Sequence, residues 1–295
     1  RLLESQRSIY LTGLFQSVFI RPQVAANGDS TIRDIVVEMR ENMSGEFNIA
    51  AGYGAIDKAR GKIEIFNNNL RGTALKLGLI GRISYVQRGV ETSFTNPWTF
   101  HSPWRTDLNL YTEWKSETGY DFDRFGGKLT FGRKIRANTY TMTWRNEHVC
   151  LDNVETSEIP DKLKSDTRSL KMSVIRDTRD NLFDTSKGQY YELSGEFGAF
   201  FTDTNYGFFR LTGQAKRFFP IGSTAVAATS LDVGLINARG GYDIIPLQER
   251  YYIGGPNSLR GFAYEKAGLL DDKGVPAGGT VKIVWNIIEV RRDIY

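Results

Sequence analysis

Few residues in this chain invite chemistry. Residues 249–268 read ERYYIGGPNSLRGFAYEKAG, so that Gly254, Gly255 and Gly261 bracket Arg260, with Phe262 next to it. A guanidinium offers a planar fork of donors that takes a carboxylate bidentately, which lysine cannot do. Glycines let a backbone approach its surroundings closely. Taken alone, the same stretch also fits an ordinary surface turn with a solvated arginine. A second cluster, Arg176, Asp177, Arg179 and Asp180, reads as a polar hairpin turn. Glu192 and Glu196 are alternation residues of one segment rather than an acid/base pair. His101 and His148 are too far apart to make a metal motif. The single cysteine, Cys150, has no internal partner. No Ser-His-Asp grouping or phosphate-cradling loop is present. The expectation is a protein without metal, cofactor or catalytic residues.

The elements that carry these residues change character along the chain. Residues 1–15, RLLESQRSIYLTGLF, bear charges where a secretory leader needs an apolar core. They read instead as an amphipathic helix with Leu3, Tyr10 and Leu14 on one face and Gly13 as its stop. Residues 16–26 and 31–39 read as strands joined by a turn at Asn27-Gly28-Asp29. From Ser44 the period becomes two. Leu75, Leu77 and Leu79 alternate with Lys76 and Gly78, Tyr191 and Leu193 with Glu192 and Ser194, and Phe209 and Leu211 with Arg210 and Thr212. About thirteen such segments, each roughly 9–13 residues long, run to Arg291, which suits tilted strands crossing a bilayer.

Composition narrows the architecture. The chain has 295 residues, 40% apolar and 24% charged, with 13% aromatic residues. No apolar run reaches about 18 residues, which excludes a helical membrane bundle. The aromatic load excludes a disordered chain. The net charge of +4 is mild and scattered, so nucleic acid is not an expected partner. Alternation suits either a soluble β protein or a transmembrane barrel with polar residues inside. Three features favour the barrel. Its polar face carries full charges (Lys76, Arg82, Glu113, Lys115, Glu192, Glu196, Arg210, Lys216), aromatics crowd segment ends, and thirteen strands exceed most soluble sheets.

The motifs now add a family. GGPNSLRGF resembles the lumenal-loop signature of the BamA-type outer-membrane assembly superfamily. NNNLRGTALKLGL followed by VETSFTNPWTF resembles that family's second to fourth barrel strands. Ile175–Gly198, IRDTRDNLFDTSKGQYYELSGEFG, is similar to its D-x-R-D-x-x-x-x-P-x-x-G signature, with Thr185 in place of proline. LLESQRSIYLTGLFQSV resembles the helix and strand of the last POTRA domain. The resemblance covers nearly the whole chain. It implies an all-β transmembrane antiparallel barrel with about thirteen of sixteen strands present, preceded by a partial α/β POTRA domain. Residues 1–42 would belong to the POTRA domain and 43–295 to a barrel truncated before its final strands.

The resemblance further implies that the Arg260 loop folds into the lumen, where Arg260 meets Glu289 and Phe262 packs against the wall. Strict alternation puts Glu289 on the face of Val281, Ile283, Trp285 and Ile287, so the pairing calls for a β-bulge between Trp285 and Glu289. On this reading Arg260→Ala costs more stability than Arg210→Ala. The implied function is outer-membrane β-barrel assembly and insertion through a lateral seam at the first strand, Gly45–Ile56, with Phe47, Ile49, Ala51 and Tyr53 on its apolar face. The implied partners are unfolded outer-membrane β-barrel proteins, accessory lipoproteins and the lipid bilayer. The implied place is the bacterial outer membrane, with the POTRA part in the periplasm. Alternatives are a polypeptide translocator of the translocation-module or two-partner secretion type, and a passive porin.

Overall fold

The computed structural model describes residues 2–24, 33–157, 163–199, 207–222 and 224–292. The chain opens with helix α1 (Leu2–Tyr10), shorter than the 1–15 span expected, and Gly13 follows it at a φ of 73°. Strands β1 (Phe15–Val24) and β2 (Arg33–Glu41) then form an antiparallel pair of their own. The expected turn at Asn27-Gly28-Asp29 lies outside the described residues.

The rest is one antiparallel meander. It runs β3 (Gly45–Gly54), β4 (Lys58–Leu70), β5 (Leu75–Ser84), β6 (Gln87–Thr99), β7 (Trp104–Glu117) and β8 (Tyr120–Ile135). It continues through β9 (Asn138–Asp152), β10 (Lys164–Asp177), β11 (Gly188–Gly198), β12 (Phe208–Ile221), β13 (Ala225–Ala238) and β14 (Val281–Arg292). These make a 12-stranded sheet in sequence order. The alternation had implied about thirteen strands; the forty-odd residues between β13 and β14 add none to the sheet. Strands of 10 to 16 residues exceed the expected range at the upper end. Among the described residues β3 and β14 are the two edges, and no ladder joins them.

Period-two sequence fixes which face each side chain takes, and the faces are inverted relative to a water-soluble protein. Ile49 is 68% exposed and Leu193 59%, and Leu77, Phe125 and Leu211 are exposed on the same outer face. Glu147, Glu196 and Ser169 are buried on the inner one. Ionised groups are rarely buried unless paired, so an apolar exterior around a charged interior is the pattern of a barrel in lipid. No helix among the described residues is long and apolar enough to cross a bilayer. The sheet's outer face is the surface compatible with hydrocarbon.

What apolar core exists lies inside, where the β13–β14 loop presses on the wall. Leu247 packs with Tyr120, Phe122, Val149 and Leu151, and Ile245 packs with Phe208, Ile236 and Ala238. Each fully buried aliphatic side chain contributes roughly 1.5–3 kcal/mol to holding the loop down.

Candidate functional site

The loop from 239 to 280 crosses the inner face. It leaves β13 and reaches the β7–β8 turn, six strands away, a distance of about 29 Å on a flat sheet. There Tyr264 donates its hydroxyl proton to Glu117 at 3.1 Å, and the Thr118 N–H donates to Glu265 at 3.3 Å. Asp271 accepts from the Thr156 hydroxyl at 3.0 Å and the Ser157 N–H at 2.7 Å, tying the loop to the β9–β10 connection. Gly119 has a φ of 102°, and a Cβ there would stand 2.3 Å from Val275, so the rim accepts the loop only with glycine at that point.

The middle of the loop carries the charge. A one-turn helix, Leu247–Glu249, lowers the Glu249 carboxylate onto the inner wall. Arg145 of β9 donates to Glu249 at 2.9 Å and to Glu196 of β11 at 2.8 Å. Arg210 of β12 donates to Glu196 at 3.1 Å and to the Glu249 backbone carbonyl at 2.9 Å, and it also pairs with the Glu249 carboxylate. Ser169 donates to Glu196 at 2.6 Å. Two guanidiniums and two carboxylates thus close a ring in which every carboxylate oxygen accepts a charged donor. Glu249 is only 5% exposed and Glu196 6%. Burial alone would push the Glu249 carboxyl up; Arg145 and Arg210 outweigh it and hold it at about 2. Next to the ring, Glu147 accepts from the Tyr111 hydroxyl at 2.5 Å.

The Gly254–Phe262 stretch folds on itself. The Gly254 N–H donates to the Ser258 hydroxyl at 2.8 Å and the Gly255 N–H to the Phe262 carbonyl at 3.1 Å. Gly254 has a φ of 119°, and a Cβ there would meet the Ala263 carbonyl oxygen at 2.4 Å. Gly255 and Gly261 also hold positive φ, at 91° and 104°. Arg260 donates to Glu289 at 2.6 Å. β14 carries the bulge that phase demands: Ala228 faces Glu289 and Ser230 faces Asn286, so Ile287 and Ile288 together oppose Thr229.

Among the described residues the Arg260 side chain is 71% exposed and Phe262 is 55% exposed. Arg260 reaches β14, an edge strand among the described residues. Arg145 and Arg210 are far less exposed, at 13% and 16% of their side chains.

The other sequence candidates are local. Arg179 takes Asp177 bidentately at 2.9 and 2.6 Å and stacks over Tyr190 at 5.0 Å. Asp180 accepts N–H groups from Asn181, Ser186 and Lys187, which fixes the β10–β11 turn. Arg176 is exposed on β10. Phe47, Ile49, Ala51 and Tyr53 lie exposed on β3, remote from the ring. His148 sits 2.7 Å from Asp166 and 3.3 Å from Cys150, with one ring nitrogen occupied by each. No group of three or more metal-ligating side chains occurs among the described residues.

The sequence named Glu196 and Arg210 as inward charges but did not bring them together with Arg145 and Glu249. The available signal was register: Glu196 faces Arg210 across β11–β12, and Arg145 faces Ser169 across β9–β10.

Comparison with known proteins agrees with this architecture. The Omp85 superfamily domain profile matches residues 69–294. The fold is similar to that of BamA from Haemophilus ducreyi lacking POTRA domains 1–3, with a TM-score of 0.79 at 21% identity, covering 95% of this chain and 59% of that one. It is also similar to CdiB from Acinetobacter baumannii, with a TM-score of 0.54 at 15% identity, covering 90% of this chain and 52% of that one. The chain therefore spans little more than half the length of either structure. At these identities the likeness is one of fold.

Proposed function

The chain belongs to the Omp85 superfamily, and from that premise we propose that it assembles and inserts β-barrel proteins in the bacterial outer membrane. Its partners are unfolded outer-membrane β-barrel proteins, the lipid bilayer and the accessory lipoproteins of an assembly complex. Residues 1–42 form the C-terminal part of a periplasmic POTRA domain, and the barrel begins at residue 43.

The observation that carries this reading is β3. Residues Gly45–Tyr53 are exposed on both faces, and among the described residues the strand pairs with β4 alone. Its outer main-chain N–H and C=O groups form a template for another strand. In hydrocarbon an unpaired backbone group costs several kcal/mol, so such an edge pairs with whatever strand reaches it. A seam between β3 and the strand that closes the barrel can therefore exchange its partner for the edge of an incoming substrate. Main-chain hydrogen bonds supply the affinity, as in β-augmentation. No covalent step and no nucleotide enter.

The test is a disulfide lock in the full-length protein, between a cysteine replacing Ile49 and one on the closing strand. Insertion of a β-barrel substrate into vesicles should stop in the oxidised form and return on reduction. Unimpaired insertion by the locked protein would sink the proposal. A polypeptide translocator of the same superfamily is the second reading, favoured by a charged lumen that a single loop occludes. A passive porin fits less well, since that loop lies across the lumen.

A further inference from the structure

The apolar outer face of the sheet is not smooth. A groove of about 700 Å³ crosses it from β3 to β7. The ladders align its residues in two neighbouring rows. Ile49, Ile63, Gly81 and Val90 form one, and Ala51, Gly61, Ile83 and Arg88 form the next. Glycine makes the depression: a Cβ on Gly81 would meet no atom within 4 Å, so the space above it is open. The isoleucines and Val90 are exposed around that floor.

The second row ends in charge. Arg88 stacks over Trp114 of β7 at 4.8 Å, and Asp123 of β8 faces Trp114 from the other side. Both charged residues are exposed, and among the described residues neither makes an ion pair. The other charged residues along the groove, Lys62, Arg82 and Glu113, have inward phase and pair with Glu64, Glu91 and Arg124. An outward arginine is costly at the middle of a bilayer and tolerated near its surface. Ile83 and Arg88 are the last pair of the β5–β6 ladder, beside the exposed Tyr85 of the turn, which sets Arg88 at headgroup level.

The groove is therefore apolar below and carries one cation and one anion above. A guanidinium fork suits a phosphate. A carboxylate only accepts, so it takes O–H donors and repels a second anion. Arg88 and Asp123 stand two strand spacings apart, about 10 Å, a span that a sugar ring bridges with phosphate at one end and hydroxyls at the other. We propose that the groove is a site for a phosphorylated sugar lipid, with acyl chains over Gly61 and Gly81, phosphate on Arg88 and sugar hydroxyls donating to Asp123. β3 is entered from residues 1–42 at its opposite end, so with those residues in the periplasm the site opens to the outward leaflet. The proposal rests on that orientation and not on insertion activity. Since Ile49 and Ala51 belong to β3, the bound lipid covers the outer side of the seam strand.

The experiment uses the full-length protein in a non-ionic detergent, mixed with lipid A, and counts retained lipid by native mass spectrometry. Saturable retention is expected, at least about fivefold above that of phosphatidylglycerol. Arg88→Gln should lower lipid A retention at least about fivefold, and Asp123→Asn should narrow the preference over phosphatidylglycerol. Gly81→Leu, which fills the open space on β5, should abolish retention of both lipids. Arg105→Gln, at the opposite end of β7, should change nothing. Equal retention of the two lipids by the parent overturns the proposal. So does undiminished lipid A retention in whichever of Arg88→Gln and Gly81→Leu keeps the heat-modifiable mobility of a folded barrel. No substrate is inserted in this measurement, so its failure is distinct from failure of the disulfide-lock test.

Discussion

Arg145 and Arg105 both pair with carboxylates, yet burial sets their worth far apart. Removing Arg145 leaves Glu196 and Glu249 buried with a single guanidinium between them. Arg145→Met should therefore destabilise the barrel by about 3–5 kcal/mol, read as the midpoint of denaturant unfolding in vesicles. The Arg105–Asp107 pair is screened by solvent, and Arg105→Ala should cost only about 0–1 kcal/mol in the same assay. Glu265 gives a pH signature. Burial, with the neighbouring Glu117 carboxylate, pushes it up from 4.5 to about 7. Between those values the folded loop keeps a proton that the unfolded chain has released. Stability should therefore fall as pH rises across that window, and Glu265→Gln should flatten the slope. A parallel slope in wild type and variant would show that Glu265 does not set it.

Single strands were the most legible elements, because alternation is a property of neighbouring residues. Leu193 and Ser194, or Leu211 and Thr212, declare their faces with no knowledge of the partner strand. The β14 bulge was legible for the same reason: strict alternation puts Glu289 on the face of Trp285, and a bulge between them turns it inward. Deleting Ile288 should remove the bulge and leave Glu289 on the inner face opposite Ala228, whereas deleting both Ile287 and Ile288 should turn Glu289 to the outer face. A cysteine at 289 in a Cys150→Ser background should resist a membrane-soluble thiol reagent in the parent and in the single deletion, and be labelled in the double deletion. The loop between β13 and β14 was illegible beyond its glycines, since it has no period. Its docking depends on Leu247 finding Val149 and on Glu249 finding Arg145, contacts that join positions about a hundred residues apart.

At the scale of the molecule, apolar outside and charged inside is one statement about solvent. A lipid-facing charge is penalised by its depth. Leu193→Arg should cost about 2–4 kcal/mol if the position lies near the bilayer midplane, whereas the inward Lys76→Gln should be nearly silent. Folded yield in vesicles, read by mobility before and after boiling, checks both. Family and fold class were readable because motif order and alternation extend over most of the chain. How charges pair across the interior was not, since that depends on curvature bringing strands that are not neighbours within reach of one another. The four-membered ring has a mechanical corollary. If Glu249 lifts away, Arg145 and Arg210 are left facing each other over a single carboxylate. The ring is thus a latch: the loop stays seated as long as Glu249 holds both guanidiniums.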